Sequence, residues 1–224
     1  MTENNPVILV TGFGPFGVHL VNASWEAVKL LPDEFHGHRI VKKEIPVCYK
    51  DVDEKIPNMW MSMQPKLVIH VGVSSEARKI TIEKTANRNG YEKLDCFGKK
   101  HSTGNVCPRD LGDDFINTSI NVPEICEILN SHDSTIKYCS SENAGRYLCE
   151  YIYYTSLRLD RNRCIFIHVP PLDSPYTAKE LSDGILQIIN CVLKGDYSQQ
   201  KSVSVEKVDF LLSPFIQFFS INLY

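Results

Sequence analysis

The chain lacks what would bind it to a polyanion or a membrane. Acidic residues number 27 against 24 basic ones, a formal net charge of −3, so the basic footprint of a nucleic-acid-binding protein is missing. No apolar run approaches the ~20 residues of a membrane-spanning helix. The opening stretch, MTENNPVILVTGFG, passes from polar residues into a strand-like run without an apolar h-region; no signal peptide is expected, and the chain reads as cytosolic. Eight cysteines are present but no C-x-x-C pair. Cys96 and Cys107 stand too far apart for half a zinc knuckle, and disulfide frameworks usually belong to shorter, signal-bearing chains. Cys48, Cys126, Cys164 and Cys191 lie in apolar or periodic segments and read as small buried hydrophobes. Internal repeats and an interdomain linker are missing too.

What is there suits one globular domain. The 224 residues are 43% hydrophobic and 23% charged, within what a single core supports. With so little net charge, a small or uncharged ligand is the expected partner. Val7–Val10, Arg39–Val47, Leu67–Gly72, Lys79–Glu83, Thr135–Cys139 and Cys164–Val169 read as strands. Helical periodicity marks Ser24–Leu31, Val52–Met63 (interrupted at Pro57), Val122–Leu129, Asn143–Leu157 and Thr177–Leu193. The last has Leu181, Ile185, Ile188, Ile189 and Val192 as its apolar stripe. Asn87 to Asn117 reads as one long loop. Continuous apolar strands alternating with helices imply a sheet covered on both faces, hence an α/β fold. The expected architecture is a three-layer α/β/α sandwich.

Gly12-Phe13-Gly14-Pro15-Phe16-Gly17 matches the G-x-G-x-x-G dinucleotide pattern after a strand, but its chemistry is wrong for a pyrophosphate. Pro15 has no N–H to donate, Phe13 and Phe16 put bulk where phosphates would lie, and the next helix starts only near Asn22 or Ser24. The segment reads either as a plain connection whose phenylalanines join the core or as an aromatic clamp for a flat, uncharged ring. Asn22 could cap the helix or serve that pocket.

Three residues suggest nucleophilic chemistry, each with a plainer alternative. With Asn143 as N-cap, Cys149 falls in the early turns of a helix, where the dipole favours thiolate; it could equally be a core cysteine. His168 ends an apolar strand before Pro170-Pro171, at the sheet edge where α/β proteins bind ligands. It could also be a satisfied strand-end histidine. His70 lies inside its strand and is expected to be buried without access. Glu83 ends a strand whose Ile80 and Ile82 share the other face, so it could orient a histidine or pair with Lys84 in solvent. Spacing alone does not choose.

Taken together, the motifs are specific. Val10-Thr11-Gly12-Phe13-Gly14-Pro15-Phe16-Gly17 with Asn22, Ile69-His70-Val71-Gly72-Val73 and Thr81-Ile82-Glu83-Lys84 resemble the pyroglutamyl-peptidase I (pyrrolidone-carboxylate peptidase) family. So do Asn143-Ala144-Gly145-Arg146-Tyr147-Leu148-Cys149, Tyr153-Tyr154-Thr155-Ser156-Leu157 and Phe166-Ile167-His168-Val169-Pro170-Pro171. The resemblance runs collinearly over about residues 6 to 195 and is greatest to the animal members. It implies an α/β/α sandwich around a mixed, mostly parallel sheet, with no metal and no cofactor. It implies a cysteine omega-peptidase with Cys149 as nucleophile, His168 as general acid and base, and Glu83 as orienting carboxylate. Phe13 and Phe16 fall where the family holds the pyrrolidone ring, and Asn22, Val73, Tyr147 and Leu148 fall at substrate-binding positions. The implied partners are small peptides with N-terminal pyroglutamate, acted on by a monomer or homo-oligomer. Two departures stand out. Lys84–Tyr91 differs from bacterial relatives that bring an arginine near the site, which makes Arg88 a candidate substitute. Beyond the domain at 1–195, an apolar tail at 196–224 has no counterpart, and a tail or altered loop that blocked the crevice would leave a non-catalytic binding homologue.

Overall fold

The apolar run at Val7 continues through Gly12 to make β1 (Val7–Phe13). Glycine is required there because the next helix, α1 (Ala23–Lys29), presses on the strand: a Cβ on Gly12 would stand 2.8 Å from Trp25 Cα. The computed structural model describes residues 5–17, 20–101 and 112–209, with backbone alone for 196–209. After α1 follow β2 (Glu34–Phe35), β3 (His38–Ile45), α2 (Tyr49–Met63), β4 (Leu67–Val73), β5 (Ile80–Glu83), β6 (Thr85–Asn87) and β7 (Phe115–Asn117). Then come α3 (Val122–Asn130), β8 (Tyr138–Ser141), α4 (Leu148–Asp160), β9 (Cys164–Val169) and α5 (Ala178–Asp209).

Seven strands form one sheet in the order β2-β3-β1-β4-β9-β5-β8. The pairings β3–β1, β1–β4, β4–β9 and β5–β8 are parallel, whereas β2–β3 and β5–β9 are antiparallel. The expected mixed, mostly parallel sheet is thus present. Alternation along the strands divides the core into two clusters. Ile8, Val10, Ile69, Val71, Ile165 and Ile167 face α1, α3 and α5. Leu9, Phe13, Val68, Cys164 and Phe166 face α2 and α4. This is the α/β/α sandwich.

Several expectations need correction. α2 runs straight through Pro57 and starts at Tyr49 rather than Val52. A mid-helix proline costs about 3 kcal/mol, but Tyr49, Val52, Ile56 and Trp60 are all buried on one stripe, at about 1.5–3 kcal/mol each. The stripe wins. The strand expected at Thr135–Cys139 lies at Tyr138–Ser141, since Ser134 and Thr135 are taken up in the turn that hydrogen-bonds Ile136 N and Tyr176 Oη. The long loop from Asn87 is bounded by a small antiparallel ribbon, β6–β7, that pairs Thr85 with Asn117. The C-terminal helix does not stop at Leu193 but continues to Asp209; Phe210 to Tyr224, most of the apolar end of the tail, and Cys107 lie outside the described residues.

Candidate active site

The helix expected from Asn143 begins four residues later than that reading requires. Asn143 Oδ1 instead accepts from Gly145 N at 3.2 Å, closing a local turn. Gly145 at φ 95° and Arg146 at φ 52° are both left-handed, and Tyr147 becomes the N-cap of α4. Cys149 is therefore the second residue of its helix, closer to the positive end of the dipole than the expected boundary put it. The first backbone bond of α4 runs from Tyr151 N to Tyr147 O, so the N–H groups of Leu148, Cys149 and Glu150 remain outside the helical ladder.

Antiparallel β5 determines where Glu83 goes. In the β5–β9 register, Thr81 stands opposite His168 and Glu83 opposite Phe166. Glu83 therefore sits one pleat inside the sheet, diagonal to His168 on the same face, and is 2% exposed. Its Oε1 lies 2.8 Å from His168 Nδ1, while Oε2 has no hydrogen-bond partner among the described residues. With Nδ1 engaged, the other ring nitrogen of His168 is left for Cys149, which is near enough to act on the ring. Burial by itself pulls the imidazole toward neutrality, but the hydrogen bonds and fields of Cys149 and Glu83 lift its pKa from 6.5 to about 10. The protonated form of the ring is thus favoured. A thiol, an imidazole and a carboxylate in this line can activate sulfur as a nucleophile and deliver a proton to a leaving group. Gly72, at the end of β4, makes room for the sulfur: a Cβ there would stand 2.7 Å from Cys149 Sγ.

The remaining positions singled out from the sequence divide by face. Phe13 is buried in the α2–α4 cluster, where Leu148 is also buried and Phe16, Tyr147 and Cys149 pack at the margin. Asn22 caps α1, accepting from Ser24 N, and donates Nδ2 to Gly14 O at 3.0 Å, pinning the phenylalanine loop. Tyr147 donates its hydroxyl to Leu94 O at 2.9 Å and meets Tyr49 edge-on; Tyr49 borders a cavity of about 580 Å³. Val73 differs: its side chain packs with the α1–α3–α5 cluster, so only its backbone shares the Cys149 side of the sheet. Arg88 is tied to Asp114 on the β6–β7 ribbon, through Arg88 N to Asp114 O at 2.9 Å and a 3.5 Å ion pair.

His70 is fully buried, as its position within β4 implied. Cys48, Cys126 and Cys164 are buried, whereas Cys191 is only partly so. Sequence reasoning missed Glu150, a fully buried carboxylate that accepts from Arg146 and Asn87. The available signal was the i, i+4 spacing of Arg146 and Glu150. Among the described residues, no group of three or more His, Cys, Asp or Glu is placed to hold a metal ion. No described helix is long and apolar enough to cross a membrane.

Comparison with known proteins bears on the family and the fold. The family model described as pyroglutamyl peptidase matches residues 7–187. Pyroglutamyl-peptidase 1 of Rattus norvegicus is 40% identical over 195 residues, which is 86% of this chain and 92% of the rat protein. The solved pyroglutamyl peptidase I of Bacillus amyloliquefaciens is 28% identical with a TM-score of 0.69, covering 82% of this chain and 94% of that one. A mutant pyrrolidone carboxyl peptidase from Pyrococcus furiosus shares the fold, with a TM-score of 0.75 at 23% identity over 84% of this chain and 99% of its own. On the extent of the family match and the identity to the rat protein, this chain belongs to the pyroglutamyl peptidase family.

Proposed function

We propose that the chain is a cysteine peptidase that hydrolyses the bond after an N-terminal pyroglutamyl residue of small peptides. The observation that carries this reading is His168 held at 2.8 Å by the buried Glu83 and influenced by Cys149 at the start of α4, in a member of this family. Cys149 is the nucleophile. Its sulfur attacks the carbonyl that joins pyroglutamate to the next residue. The N–H groups of Leu148 and Cys149, outside the helical ladder, donate to the oxygen as it gains charge. His168 gives its proton to the departing amine, leaving a thioester on Cys149. The imidazole then takes a proton from water, which attacks the thioester, releases pyroglutamate and restores the pair. Glu83 acts through His168, fixing its tautomer and stabilising the imidazolium.

Selection of the neutral lactam follows from the apolar wall. Phe13 and Phe16 flank the ring, Asn22 holds their loop, Tyr147 and Leu148 close the far side, and Val73 contributes backbone. A pyrrolidine with a protonated amine would lose its hydration in such a pocket without a counter-charge. A cytosolic location belongs to the same reading.

The test is hydrolysis of a fluorogenic pyroglutamyl amide beside the matching prolyl amide, using the purified full chain. Turnover of the first with at least about 100-fold discrimination against the second is expected. Binding of pyroglutamyl peptide without turnover would replace the peptidase reading with that of a binding homologue.

A further inference from the structure

The residue after Cys149 is a carboxylate with no exposed surface, and its hydrogen bonds reach both arms of the site. Glu150 Oε2 accepts from Arg146 N at 2.6 Å, and Arg146 Nη1 reaches Oε1 and Oε2 at 2.7 and 2.8 Å. From the other side, Asn87 N and Asn87 Nδ2 both donate to Oε1 at 2.8 Å. A glutamate at the third position of a helix ordinarily folds back onto the N–H of its N-cap. Here it reaches one residue further, to Arg146, in the left-handed turn of Gly145 and Arg146. The N-cap Tyr147 makes no side-chain cap bond. The arginine side chain lies across Gly90, where a Cβ would stand 3.0 Å from Arg146 Cδ.

This arrangement exceeds what starting a helix requires. Serine, threonine, asparagine or aspartate at the N-cap does that work on the surface, whereas a wholly buried carboxylate persists only when paired and hydrogen-bonded. Its partners show what the extra bonds achieve. Arg146 lies in the turn that aims the start of α4. Asn87 ends β6, just downstream of Glu83 on the same stretch of chain. The carboxylate thus fastens the helix that carries the thiol to the strands that carry the partner of His168.

We infer that Glu150, with Arg146 and Asn87 as its donors, is a positioning residue for the reaction. It sets the first turn of α4 so that the Cys149 sulfur and the neighbouring N–H groups meet the substrate carbonyl in line with His168. This rests on the assignment of Cys149 as nucleophile.

Glu150→Gln in the full chain keeps the shape and one acceptor but removes the charge pairing. In protein shown to be folded by circular dichroism, kcat for the pyroglutamyl amide should fall about 10- to 100-fold while KM stays within about twofold. Alkylation of Cys149 by iodoacetamide, followed by mass spectrometry, should slow by a similar factor. A purely structural role would lower the melting temperature and leave both rates alone. Arg146→Lys keeps the charge but not the fork, so its loss should be smaller than that of Arg146→Ala. Folded Glu150→Gln with kcat and alkylation rate within twofold of the parent would overturn the inference. If that variant does not fold, unchanged kcat in both Arg146 variants would overturn it instead. An intact chain inactive on the amide would defeat the peptidase reading, and the alkylation rates, which need no substrate, would still decide the clamp.

Discussion

Two histidines hang from adjacent parallel strands on the same face of the sheet and have opposite chemistry. In the β4–β9 register His70 stands opposite Phe166 and His168 opposite Gly72, so His168 lies one pleat nearer the carboxyl edge. His70 Nδ1 lies 2.7 Å from Thr11 Oγ1, and Nε2 lies 2.7 Å from Ser156 Oγ. Trp60 Nε1 donates to the same Ser156 Oγ at 3.0 Å, so both ring nitrogens of His70 meet uncharged hydroxyls. All its neighbours are neutral, and burial depresses its pKa to about 3. His168 is nearly as buried, at 8% exposure, yet its pKa rises because a carboxylate and a thiol flank it. Burial alone does not make a histidine inert. Its partners decide: Cys149 at the start of α4 first, then Glu83, which β5 supplies by running antiparallel beside β9.

The contrast breaks most completely at His168. His168→Ala should lower kcat on a pyroglutamyl amide by about 10³-fold or more, with the melting temperature nearly unchanged. Glu83→Gln sharpens the comparison by removing one of the two groups that raise the His168 pKa and leaving Cys149 as the other. Turnover should fall on the order of 10²-fold, and the alkaline limb of the pH–rate profile should move to lower pH, because a partner that raises the imidazole pKa is gone. An alkaline limb that stays in place would argue that Cys149 alone holds the proton on His168.

The smallest expected effect is on stability, and its sign differs between the two rings. His168, raised from 6.5 to about 10, contributes stability that is fully present below pH 6.5 and is lost as pH rises through about 10. His70, depressed to about 3, remains neutral in the folded chain while the unfolded chain takes up a proton below pH 6.5, so stability falls as pH drops from there. His70→Leu strands the hydroxyls of Thr11 and Ser156 and should cost about 2 kcal/mol at pH 8 by chemical denaturation. The deficit should narrow below pH 6.5, where only the parent gains a proton at His70 on unfolding, and kcat should stay within a few-fold.

How much of this was legible varies with the range of the interaction. The strand Cys164–Val169 and the buried fate of His70 follow from a continuous apolar run, a local signal. The phenylalanine loop and the Asn22 cap follow from turn chemistry within a few residues. The place of Glu83 does not, because it depends on β5 inserting between β9 and β8, antiparallel to β9 and parallel to β8, a choice made by tertiary pairing. The start of α4 was misjudged for a similar reason. Asn143 is a good cap by local rules, but Glu150 bonds to Arg146 and to distant Asn87 and fixes the helix start at Leu148. Resemblance to the family brought Cys149, His168 and Glu83 together where spacing alone left each with a plainer alternative.

The central claim is that Cys149, alone among the cysteines, carries the reaction. The most direct measurement is kcat for a pyroglutamyl amide in Cys149→Ala beside the parent chain, both shown folded by circular dichroism. The account predicts a loss of at least about 10⁴-fold with an unchanged melting profile. Turnover that survives in folded Cys149→Ala would contradict it.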